Sequence, residues 1–109
     1  MTRPDLTRAL VLEAPVRVPD GGGGYAEDWS PLGTVWADVS PRGAGREGVS
    51  GSKLALKITL RAVPQEAASR PKPGMRFRER ARLYEIEAVT EADAAGRYLI
   101  CFAREEVGT

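Results

Sequence analysis

The chain of 109 residues carries 16 basic and 15 acidic side chains, a net charge of +1, with no histidine and one cysteine. These counts exclude His-based triads, imidazole metal sites, internal disulfides, zinc ribbons and CxxC redox chemistry. A balanced charge also argues against an open nucleic-acid clamp, which needs a strong basic excess.

The length fits one domain, 1–109, that buries roughly 65% of its extended surface. Leu, Ile, Val and Phe number 23, enough for a single modest core. Gly and Pro total 20 and interrupt every apolar run before it reaches helix length. No run approaches the roughly 18 apolar residues of a membrane helix, and Met1 to Ala14 lacks a signal peptide's apolar region and cleavage site. The expectation is a soluble product of a reducing cytosol with no membrane partner. Cys101, inside the apolar run Tyr98 to Ala103, reads as a small packed hydrophobe rather than a nucleophile.

In chain order, Leu10, Leu12, Ala14, Val16 and Val18 share one parity, with Glu13 and Arg17 on the other, as in a half-buried strand. Pro15 assigns it to an edge or a bulge. Pro19 to Gly24 is a turn or flexible loop. A second short strand runs from Tyr25 to Ser30, with Tyr25, Glu27 and Trp29 on one side, and Pro31 to Gly33 breaks it. Thr34 to Ser40 forms a strand with Val35, Ala37 and Val39 opposite Trp36, Asp38 and Ser40.

Pro41 to Ser52 holds four glycines and one branched aliphatic, the longest coreless stretch of the chain. Leu54, Leu56, Ile58 and Leu60 then alternate with polar neighbours in a strand of clear period 2. Val63 to Gly74 allows at most one helical turn, over Gln65 to Ser69, before Pro71 and Pro73. Met75 to Arg78 and Arg82 to Thr90 form a hairpin turning at Glu79 to Ala81, with Tyr84, Ile86 and Ala88 facing inward. Tyr98 to Ala103 is apolar on both faces, hence a central strand, and Glu105 and Glu106 lie in a terminal tail. The fold class is all-β, a small barrel or sandwich of about seven short strands with one long Gly-rich loop.

Catalysis has little to stand on. Glu85 and Glu87 share an outward face beside arginines, a pattern of solvated ion pairs. The glycine run at 21–24 lacks a following GK[ST], and no GxGxxG opens a helix. No catalytic, cofactor or metal residues are assigned. Arg76, Arg78, Arg80 and Arg82 share one parity; they read as hairpin charges pairing with Glu85 and Glu87, with DNA contact as the alternative. Trp29 and Trp36 read as packing residues, although tryptophan is enriched where partners meet.

A coreless loop of this length in so small a domain tends to be functional. The candidate loop residues are Arg42, Gly43, Gly45, Arg46, Gly48, Gly51 and Lys53, glycines for close backbone approach and cations for a polyanion. Trp29, Trp36, Arg76 and Arg78 are the candidate assembly contacts. Copies closing into a symmetric ring would order such a loop around an axis.

The order of these features resembles the phage head-tail joining family, which includes head-tail adaptor, head-closure and stopper proteins. The resemblance rests on Asp20 to Gly24, Trp29 and Val35-Trp-Ala-Asp-Val39, then Gly43 to Glu47, Lys57 to Arg61, Gly74-Met-Arg76 and Tyr84 to Val89. It spans roughly residues 6 to 104. It implies a non-enzymatic, cofactor-free neck protein of a tailed phage or a gene transfer agent. It also implies a homo-oligomeric ring, a hexamer in preference to a dodecamer, between a portal-bound adaptor protein and the tail terminator protein. The loop 41–52 would face the channel and its packaged double-stranded DNA. An OB-like nucleic-acid-binding module and another neck component, such as a tail terminator, are the alternative readings.

Overall fold

The computed structural model describes residues 4–42, 49–50 and 53–106. Seven strands follow in order: β1 (Arg8–Pro19), β2 (Tyr25–Pro41), β3 (Val49–Ser50), β4 (Lys53–Arg61), β5 (Arg76–Glu79), β6 (Arg82–Glu91) and β7 (Tyr98–Glu106). All pairings are antiparallel, in the order β2-β1-β5-β6-β7-β4, and β2 pairs again with β4. Six strands therefore close in a ring, with the short β3 added to β4 beyond the end of β2. Closure removes the open edges that a small sheet otherwise exposes.

Alternating residues of each strand fill the ring. Leu10 and Leu12 meet Ala37, Leu56, Ile58, Leu60, Phe77, Tyr84, Ile86, Leu99, Cys101 and Ala103, all buried. Each large member contributes about 1.5–3 kcal/mol by leaving water. Leu56, Ile58 and Leu60 of β4 point into the core as the period-2 reading expects, but Ala55 and Thr59 of the opposite parity are buried as well, so that face is not simply polar. β7 holds its central place between β4 and β6.

Two β-bulges change the expected pattern. Pro31 to Gly33 does not end a strand: β2 runs through it, and the register against β1 shifts at Leu12/Glu13, with Leu12 opposite Gly33 and Glu13 opposite Pro31. The extra residue, Leu32, drops onto the core. In β6 the register shifts between Ile86 and Ala88, so Ala88, expected inside, is exposed and Val89 packs on the core instead. Gln65 to Arg70 forms consecutive turns, with Ala67 N–H donating to Pro64 and Arg70 N–H to Ala67, rather than a helical turn. Glu105 is not in a tail. It is a buried residue of β7.

Among the described residues, β1 has a second neighbour only at Val11 to Glu13, where β5 pairs with it, and β2 only at Ala37 to Pro41, where β4 does. Beyond Glu13 the hairpin continues from Ala14/Ser30 to Pro19/Tyr25 as a two-stranded arm outside the ring. The molecule measures 54 × 36 × 21 Å along its principal axes, elongated as such an arm requires.

Candidate functional site

The arm's turn is built from Asp20 and the glycines after it. The Asp20 carboxylate accepts bonds from the N–H groups of Gly22 (2.8 Å) and Gly24 (3.1 Å), while Asp20 N–H donates to the Gly24 carbonyl. Gly21 and Gly23 sit at φ of 85° and 87°, a left-handed backbone that a side chain would oppose. The glycine run is thus a tied turn, not a slack loop.

The arm's root is held by charge. Glu13 accepts a bond from Arg76 Nε at 2.7 Å and one from Arg78 Nε at 2.8 Å, and only 5% of the residue is exposed. Burial pushes the Glu13 carboxyl up, but the bonds from Arg78 and Arg76 outweigh it and hold the group below the usual carboxylate range. The Arg76 guanidinium also lies over the Trp29 ring, 4.0 Å from its centroid. β1, β5 and, through Trp29, the adjoining part of β2 are so locked into one angle.

This corrects the expected partners. Arg76 and Arg78 bond Glu13 rather than Glu85 and Glu87, although Arg76 stands opposite Glu85 in register. Glu87 pairs instead with Arg104 and Glu85 with Lys53. The bulge at Glu87 turns its side chain toward β7, and the carboxylate on β1 is closer and better desolvated.

A second network ties β1, β5, β6 and β7. Arg8 forks onto Glu79, Tyr84 Oη donates to the same carboxylate at 2.7 Å, and Arg82 forks onto Glu105 at 2.6 and 2.8 Å. The Arg8 bond, reinforced by Tyr84, brings the Glu79 carboxyl down to about 2. Burial, then the bond to Glu79, raises the Tyr84 phenol. Bonding to Glu105 raises Arg82. Each of these shifts, of Glu79, Tyr84 and Arg82, moves the group further from neutrality, as in a set of struts.

Of the loop candidates, Gly43, Gly45, Arg46, Gly48 and Gly51 lie outside the described residues. The segment's ends are more structured than a free loop: Pro41 pairs with Leu56, Arg42 N–H donates to the Ala55 carbonyl at 3.0 Å, and β3 pairs with Lys53 and Leu54. The Arg42 guanidinium stacks 4.5 Å from the Phe102 ring centroid, and Lys53 Nζ reaches Glu85 at 3.6 Å. Trp36 is 59% exposed at the far end of the ribbon, away from Trp29. The structure therefore brings Trp29, Arg76 and Arg78 together and leaves Trp36 apart.

The arm itself escaped the sequence reading. Its signal was length: a twelve-residue strand reaches about 40 Å, more than a small ring can cover.

A family model for phage head completion protein matches residues 1–106 of the chain. A chain in the solved structure of the virion of a native gene transfer agent (GTA) particle is 47% identical, with a TM-score of 0.81, over 98% of this chain and 100% of that one. No curated protein matches.

Proposed function

This chain belongs to the phage head completion protein family, and from that premise we propose that it is a structural head-closure protein, or stopper, at the neck of a phage-like particle. The observation that carries this is the 47% identity, over 98% of this chain and 100% of the other, to a component of a GTA virion. Copies form a ring, six in preference to twelve, between the portal-bound adaptor and the tail terminator. The closed strand ring is the rigid body of each subunit.

In this reading the loop 41–52 would face the axis and narrow the channel over packaged double-stranded DNA. Its composition supports this role: glycines at 43, 45 and 48 let backbones from neighbouring copies approach closely, and Arg46 adds one cation per copy toward phosphate. With few bulky side chains, the constriction is a mesh of backbone, able to widen without unfolding the strands behind it. Arg42 and Lys53 are anchored on Phe102 and Glu85, so they mark the base of the segment.

Deleting residues 43–48 tests the gate. The variant is expected to fold and enter particles, which then lose DNA to added nuclease. Full DNA retention and normal transfer would overturn the gating role.

A further inference from the structure

Among the described residues, one face of the arm has nothing packed on it. Paired residues of an antiparallel ribbon share a face, so Val16 stands with Asp28 and Val18 with Ala26. That face continues the parity of Leu10 and Leu12, which are buried in the ring. Val16 and Val18 are nevertheless 37% and 38% exposed. A core stripe thus runs out of the body uncovered. Pro15 and Pro19 withhold N–H groups along the adjoining edge of β1, which disfavours extension of the sheet by another strand and leaves the side-chain face as the contact surface.

A matching surface lies at the other end of the same ribbon. Leu6, Val35, Trp36, Leu60, Arg61 and Val63 line an open groove of about 410 Å³. Among the described residues no carboxylate bridges Arg61 at its rim. On the arm, Asp28 bonds, among the described residues, its neighbour's N–H, that of Trp29, at 2.8 Å. The groove therefore offers an apolar seat with a cation at its edge, and the arm an apolar face with an anion. From Ala26 to Trp36 the continuous β2 extends roughly 33 Å, so the arm cannot reach its own groove. Two unlike, complementary surfaces at opposite ends of one ribbon make a head-to-tail contact, the kind that closes rings.

We infer that the arm face formed by Val16, Val18 and Ala26 seats in the Leu6, Trp36 and Val63 groove of the next copy of this chain, with Asp28 meeting Arg61. The inference rests on the neck-ring reading, and the experiment separates the two. Particles are assembled with the Val18→Cys, Val63→Cys double variant, oxidised mildly and run on non-reducing gels. A ladder from dimer upward is expected, while each single variant runs as monomer because Cys101 is buried.

A double variant that is present in particles yet monomeric overturns the inference and leaves the neck reading standing. A ladder from Val18→Cys alone overturns it too, because arm would then meet arm. Val18→Asp decides without a cross-link: it should keep the wild-type dichroism and Tm but fall roughly tenfold in particle content, since it buries an unpaired charge in the seat. Full incorporation of Val18→Asp overturns the inference. Absence of the wild-type chain from particles is the separate result that defeats the neck reading, and the inference with it.

Discussion

Arg76 bonds the Glu13 carboxylate at 2.7 Å and lies over the face of Trp29 at 4.0 Å, so one guanidinium joins the body to both strands of the arm. Glu13 has two arginine partners, and removing it leaves Arg76 and Arg78 side by side without their shared carboxylate. Glu13→Ala is expected to cost about 2 kcal/mol, below the range for fully buried pairs because Arg78 is partly open to water. Urea unfolding measures the loss. Arg76→Lys should destabilise the fold in the same direction but by less, because Arg78 keeps its bond to Glu13 while an ammonium does not stack on Trp29 as a guanidinium does. The change in Trp29 fluorescence on that substitution reports the lost stacking.

Acid should weaken the fold through Glu79. Its carboxyl falls from the ordinary 4.5 to about 2 in the folded chain, chiefly through the Arg8 bond. A folded-state value below the unfolded one means the stabilisation is fully present above pH 4.5 and is lost as pH falls toward 2. The amount is about 2 kcal/mol after allowing for the solvent access of Arg8. Thermal melts across that window should show a falling Tm, and Glu79→Gln should flatten the slope.

Tyr84 supplies the same carboxylate with a hydroxyl donor from a fully buried ring. Tyr84→Phe is expected to cost about 1 kcal/mol in denaturant unfolding, the typical loss for one buried bond. It should also raise the Glu79 midpoint, visible as acid unfolding at a higher pH.

Arg80 holds φ at 57° in the β5–β6 turn. Its side chain is exposed, so Arg80→Gly relieves the left-handed strain without losing a contact. Set against the extra freedom glycine brings to the unfolded chain, the net gain is about 0.5 kcal/mol. A higher urea midpoint at unchanged slope is the expected result.

Cys101 is fully buried, and burial pushes its thiol up to about 12. Thiol reagents at pH 8 should leave the folded chain unlabelled and modify it only on unfolding. Labelling at the rate of an exposed thiol would contradict that burial.

The sequence by itself determined the all-β class, the inward face of β4 and the hairpin turn at Arg80. Period-2 alternation and turn chemistry are local properties, expressed within a few residues. The family resemblance was legible on the same terms, since Asp20 to Gly24, Trp29 and Val35 to Val39 are motifs read in order.

Only the tertiary structure decided where the apolar parity of β1 stops being core. Leu12 and Val18 look alike in sequence, but β5 pairs with β1 at Leu12 and not at Val18. The same holds for Glu13, whose parity marks it as outward while its burial comes from two arginines more than sixty positions away. The bulges at Leu32 and Glu87 likewise answer to ring closure, which reverses parity where the sheet must curve. Such features depend on which strands become neighbours, a long-range outcome that no window of adjacent residues contains.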